Sequence, residues 1–294
     1  MITKKIMFFL FASLPAFLIA QSKNIKHVIV IGVDGLGARY MTKGAMPYTE
    51  QLMKNGSYTL HARCIRPSSS ACNWASMMMG AGPELAGYTQ WNSRKPEIPS
   101  RVLDQYGMFP SVYTILREQK ASSTIGVIYS WEGIGYLFPK QAVNKDEHPA
   151  SDSLTEISAC NYIKEAKPSL LFIHFSNVDG AGHGIGWGTD AYSNAMKEID
   201  SRIKNVVNTV KNSGLLESTA ILITADHGGI NKGHGGDSLN EMEIPWIIYG
   251  ADIKKNNSIA ESIVTYDTAA TIAWIFGLKQ PQVWIGRPVK TAFK

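Results

Sequence analysis

Apolar positions fall into two kinds of stretch along this chain. Short continuous runs, His27 to Val33, Ser123 to Tyr129, Leu170 to Phe175, Ala220 to Thr224 and Pro245 to Tyr249, are bounded by glycine, proline and small polar residues and predict strands. Between them lie segments in which apolar residues recur every three or four positions. The clearest runs from Asp190 to Lys211, with Met196, Ile199, Ile203, Val207 and Val210 on one face and Gly214 beyond its end as a stop. Strands alternating with helices predict an α/β fold with a mostly parallel central sheet and helices on both faces. No internal repeat, low-complexity tract or linker interrupts the pattern, so residues 21–294 read as one domain.

Chemistry-bearing residues stand just beyond these runs. Asp34 follows the first. Ser70 and Asn73 follow the segment ending at Pro67. Asp179 and His183 follow LLFIHFSNV, Asp226 and His227 follow AILITA, and His234 comes shortly after. An isolated Asp-Gly after a strand is ordinary turn chemistry. Carboxylates and imidazoles collected at several strand ends are a different matter, because these are the donors that zinc and similar divalent ions prefer. In a parallel α/β sheet the carboxyl ends of the strands share one rim, where ligands gather.

With Asp34, Ser70, Asp179, His183, Asp226, His227 and His234 in this order, the chain resembles the alkaline phosphatase superfamily, and within it the nucleotide pyrophosphatase/phosphodiesterase group. The resemblance extends from about Lys26 to Val289 and takes in DTAATIAWIFGL and WIGRPV near the end. It implies two divalent metal ions, with zinc the expected element. One would be held by Asp34, Asp226, His227 and Ser70, the other by Asp179, His183 and His234. It also implies in-line displacement at phosphorus by Ser70, with a phosphoserine or nucleotidyl-serine intermediate that water then hydrolyses. Ser70 is preferred to Ser69 because Ser70, Asn73 and Gly80 keep the group's spacing, and the Asn73 amide is expected to donate to a phosphoryl oxygen. Departures are Ala71-Cys72, where the group often has Phe-Pro, and Trp74. Sulfatases of the superfamily require Pro and Arg where Cys72 and Trp74 stand, so that chemistry is not expected.

The segment 83–149 is rich in aromatic residues and reads as a lid, with Trp91 and Trp131 as candidates to hold the group beyond phosphorus. Cys64, Cys72 and Cys160 are odd in number, and Cys72 reads as a buried, inert thiol. His27, His61, His148, His174 and Asp200 read as bystanders, and Lys232 as a solvated loop residue within reach of a phosphate.

Residues 1–20 carry Lys4 and Lys5 before IMFFLFASLPAFLIA, the pattern of a signal peptide cleaved near Ala20. A periplasmic or secreted enzyme without a membrane span is therefore expected. The formal net charge is +5, two units of it from Lys4 and Lys5, and gives no basic surface for nucleic acid. The expected partner is a small-molecule phosphoester. Two other functions use the same residues: a phosphomonoesterase, and a metal-binding extracellular scaffold without turnover, which would need no serine at the metal.

Overall fold

A computed structural model describes residues 24–294. The expected signal segment 1–20 lies outside them. Among the described residues the strands are β1 (His27–Val33), β2 (Ser57–Arg63), β3 (Ile125–Tyr129), β4 (Lys145–Glu147), β5 (Leu170–Phe175), β6 (Thr219–Thr224), β7 (Glu243–Gly250) and β8 (Asn257–Ser258). They form one sheet in the order β4-β3-β5-β1-β6-β7-β2-β8. Only β7 runs against the others. The four adjacent strands β3, β5, β1 and β6 are buried along almost their whole length, which explains their unbroken apolar runs.

The helices are α1 (Pro47–Lys54), α2 (Ser70–Met79), α3 (Pro83–Ala86), α4 (Val112–Gln119), α5 (Asp152–Ala166), α6 (Asn177–Gly184), α7 (Asp190–Asn212), α8 (Leu239–Met242) and α9 (Asp267–Phe276). Helices α1, α5 and α6 pack on α7, while α2 and α4 pack on α9. The amphipathic α7 buries the five residues that its period selects, and also Val206. Asp200 on this helix accepts the Tyr48 and Thr49 amides and the Thr49 hydroxyl, all within 2.8 Å, and so caps α1 from a distance. Its role is structural, as the sequence suggests.

Three strands escape the run-based reading. Strand β2 alternates between buried and exposed positions, and β4 and β8 are too short to show a pattern. Strand β7 extends beyond its apolar run and tolerates Pro245, because its ladder with β2 is irregular between Thr59 and Ala62, opposite that residue. The lid reading of 83–149 needs correction. Strands β3 and β4 belong to the main sheet and α4 packs on α9, since all five residues of β3 are buried against their neighbours. Only the loops on either side of these elements reach the rim of the cleft.

Candidate active site

Strands β5, β1 and β6 end side by side, with Val33 opposite Phe175 and Gly32 opposite Thr224. Asp34 therefore leaves β1 next to Asp226 and His227 beyond β6, and next to Asp179 in the first turn of α6. Gly35 permits this convergence. Its φ is +69°, its N–H donates to Asp226 Oδ1 at 3.1 Å, and a Cβ there would lie 2.8 Å from the Asp179 Cα. Strand β2 runs in the same direction as β6, so its loop delivers Ser70, the first residue of α2, to the same rim.

All seven residues of the expected ligand set meet there. His227 Nε2 lies 3.2 Å from Asp226 Oδ2, 3.2 Å from Ser70 Oγ and 3.6 Å from Asp34 Oδ1. Beside this group, His183 Nε2 is 3.5 Å from Asp179 Oδ2, and His234 Nε2 is 3.9 Å from Asp179 Oδ1 and 3.1 Å from His183 Nε2. Asp179 stands between the two groups, because its donor atoms lie within 4.8 Å of those of Asp34 and His227 as well as those of His183 and His234.

Protonation sharpens the picture. Nδ1 of His183, His227 and His234 faces the carbonyls of Lys232, Gly228 and Ser68 at 3.0, 2.7 and 2.9 Å, so each Nδ1 carries the proton and each Nε2 presents a lone pair. These lone pairs point at one another and at carboxylate oxygens. Asp34 Oδ1, Asp179 Oδ1 and Asp226 Oδ2 are buried and accept no hydrogen bond. Burial and the charges of the neighbouring aspartates raise Asp179 to about 8 and Asp226 well above its usual value. At Asp34 burial also acts upward, but the His174 hydrogen bond and charge, with His227 and Trp74, outweigh it and hold the carboxyl at about 2. Burial and His234 press His227 down to about 3. Converging acceptors without a donor are costly unless a cation lies among them. The donor set fits divalent metal of the zinc type.

The surrounding residues orient these donors. His174 Nε2 and Trp74 Nε1 both contact Asp34 Oδ2, at 3.0 and 3.2 Å, which leaves Oδ1 facing the cluster. His174 is thus no bystander. The sequence signal was an imidazole inside an apolar run, and its partner becomes evident only from the register that sets it opposite Gly32. Ser68 ties the nucleophile loop to the His234 loop. Its carbonyl accepts from His234, its hydroxyl accepts from Gly235 N at 3.0 Å and donates to Gly236 O at 2.7 Å. Asp152 accepts the Ser176 and Asn177 amides and so caps α6, the helix bearing Asp179 and His183. The Trp187 indole packs edge-on to the His183 ring, at a position where a Cβ on Gly182 or Gly229 would collide with it.

One reading of the loops changes. Asn73 is fully buried and its amide is consumed locally: Oδ1 accepts from Ile65 N at 2.8 Å, and Nδ2 donates to the carbonyls of Ile65, Pro67 and Ser69. It braces the loop that leads to Ser70 and has no donor left for a phosphoryl oxygen. Lys232 is exposed on its loop and donates to Gly184 O at 2.9 Å, at the C-terminal end of α6. Cys72 is buried, its thiol directed at the Pro67 and Ser69 carbonyls and pushed up to about 12 by burial, and none of the three cysteines is paired.

A cleft of about 470 Å³ opens in front of the cluster, with Trp91 and Trp131 in its walls, together with Ser69 and Ser176. Trp91 is 58% exposed and Trp131 half-buried, so both indoles have surface free to cover a ligand.

Comparison with known proteins bears on the fold and the family. The chain is 26% identical over 176 residues to the phosphopentomutase of Herpetosiphon aurantiacus, which covers 60% of this chain and 43% of that protein. It is 23% identical over 282 residues to the catalytic subunit of human GPI ethanolamine phosphate transferase 2, covering 88% of this chain and 27% of that one. It thus spans less than half the length of these curated relatives. Murine ectonucleotide pyrophosphatase / phosphodiesterase 5, in complex with AMP, superposes with a TM-score of 0.74 at 14% identity, over 92% of this chain and all of that one. A 2-O GAG sulfatase superposes at 0.70 and 15% identity, over 90% of this chain and 73% of that one. The fold is that of the alkaline phosphatase superfamily. A family model described as "Type I phosphodiesterase / nucleotide pyrophosphatase" matches residues 28–242, and the chain belongs to that family.

Proposed function

We propose that the protein is a secreted, metal-dependent hydrolase that cleaves phosphodiester or pyrophosphate bonds through a covalent serine intermediate. The observation that carries this reading is the convergence of three buried, unpartnered carboxylate oxygens and three imidazole lone pairs on the space beside Ser70 Oγ. Asp34, Asp226, His227 and Ser70 would hold one zinc ion, and Asp179, His183 and His234 a second. Two such ions supply Lewis-acid stabilisation of the attacking and leaving oxygens.

The chain's own residues supply position. Ser70 heads α2, and the helix dipole favours an anion placed against its hydroxyl, while the Ala71 amide of the first turn is taken by the Trp91 carbonyl at 3.0 Å. The Ser70 Oγ to phosphorus bond forms as the bond to the leaving oxygen breaks, and the hydroxyl proton ends on that leaving oxygen. Water then attacks phosphorus, its oxygen staying on the released phosphate as the bond to Oγ breaks and one of its protons restoring the Ser70 hydroxyl. Asn73, Ser68 and the Asp152 cap hold the loops at the spacing this requires.

The test pairs a chromogenic diester with the monoester of the same phenol, each with and without a chelator. Faster turnover of the diester is expected, abolished by chelation and restored by zinc. Preference for the monoester would make the protein a phosphomonoesterase, and no turnover of either ester with metal supplied would leave the scaffold.

A further inference from the structure

Among the described residues no lysine or arginine lines the cleft in front of Ser70. Cations do stand on the flanking loops, the exposed Lys95 among them, but none belongs to the cleft lining. The Arg94 guanidinium lies 3.8 Å from Glu132 Oε2 and 4.9 Å above the Tyr136 ring. The Lys140 ammonium is 2.6 Å from Asp146 Oδ2 and 3.0 Å from the Tyr129 hydroxyl. The Lys232 ammonium is turned to Gly184 O. Beyond the donor cluster, the walls that a substrate meets are two indoles and two hydroxyls, Trp91, Trp131, Ser69 and Ser176.

These walls discriminate by charge. A ligand with one phosphorus places its single negative charge at the donor cluster and needs only apolar cover for its substituent, which indole faces provide. A pyrophosphate carries a second charged phosphoryl group into the region between Trp91 and Trp131. That group would gain no cation there, only the Ser69 and Ser176 hydroxyls. It would also meet aromatic faces, whose negative quadrupole repels anions.

We propose that the cleft selects a diester containing a single phosphorus and a flat, apolar substituent, and that it discriminates against pyrophosphate bonds. This selection rests on the hydrolase reading above for its chemistry, but its cause is the uncharged pair of tryptophans in the walls of the cleft.

Diphenyl phosphate and diphenyl diphosphate form a matched pair, with the same aryl groups and one additional phosphoryl group in the second. Their affinities for metal-loaded Ser70→Ala protein, measured by tryptophan fluorescence, should differ by about tenfold or more in favour of the monophosphate. Adding Trp91→Lys, a change at an exposed side chain, should narrow or reverse that ratio. Equal or tighter binding of the diphosphate by Ser70→Ala protein would overturn the proposal, and so would a ratio unmoved by the lysine. If Trp91→Lys fails to fold, the ratio in Ser70→Ala protein decides alone. Wild-type enzyme that releases phenol or phenyl phosphate from neither compound, while the binding preference stands, would remove the hydrolase reading and leave the selection intact.

Discussion

Ser70→Ala is expected to lower diester turnover by about a thousandfold or more while metal stays bound. The serine hydroxyl is the only nucleophile in hydrogen-bonding distance of the donor cluster among the described residues, 3.2 Å from His227 Nε2. Ser69 also lines the cleft, but it precedes α2 as its N-cap, and its hydroxyl makes no contact with the six carboxylate and imidazole donors. Those six remain in the Ser70→Ala protein, so metal content measured by mass spectrometry should fall little. Turnover retained within about tenfold would move the attack to Ser69 or to water.

Asp226→Asn is expected to act in the opposite pattern, losing metal as well as turnover. A neutral amide is a far poorer zinc donor than a carboxylate, so affinity should fall by about a hundredfold or more and turnover with it. Its effect on the metal-free protein arises from the same geometry. Asp226 is completely buried, its Oδ2 faces the His227 Nε2 lone pair at 3.2 Å, and the charges of Asp34 and Asp179 bear on it. An asparagine amide turned the same way would donate to that lone pair and remove the repulsion, while its oxygen kept the Gly35 amide. Metal-free Asp226→Asn should therefore unfold at a higher denaturant concentration than metal-free wild type, by about 1–3 kcal/mol. Lower stability without metal, together with undiminished metal affinity, would mean that the carboxylate is an ordinary structural group.

Much of this site is legible in the chain. Asp34, Asp179 and Asp226 each come after a run whose residues are buried on both faces of the sheet, and such runs need no tertiary knowledge to be recognised. The shared direction of parallel strands then places the residues beyond their carboxyl ends on one rim. The residues that resisted reading are those whose meaning depends on register or on where an amide points. His174 and Asp34 are 140 positions apart, and only the pairing of β1 with β5 brings them together. Ser68 is 167 positions from the amide its hydroxyl accepts, and in sequence it is one serine of three. Asn73 shows the opposite failure. Its spacing from Ser70 is informative, yet a residue three positions into a helix can face the cleft or the loop behind it, and here the backbone groups of Ile65, Pro67 and Ser69 claim it. Trp91 and Trp131 stand where aromatic richness suggests, but on two loops that strand β3 and helix α4 separate in the chain.

On the proposed function, Asp34, Ser70, Asp179, His183, Asp226, His227 and His234 act together as one bimetallic centre. Titrating chelator-stripped wild-type protein with zinc, while counting bound ions and diester turnover together, tests it most directly. Two ions per chain are expected, with turnover absent from the stripped protein and complete only when both are bound. Full turnover in stripped protein would contradict it, and would assign activation of Ser70 to His227 alone.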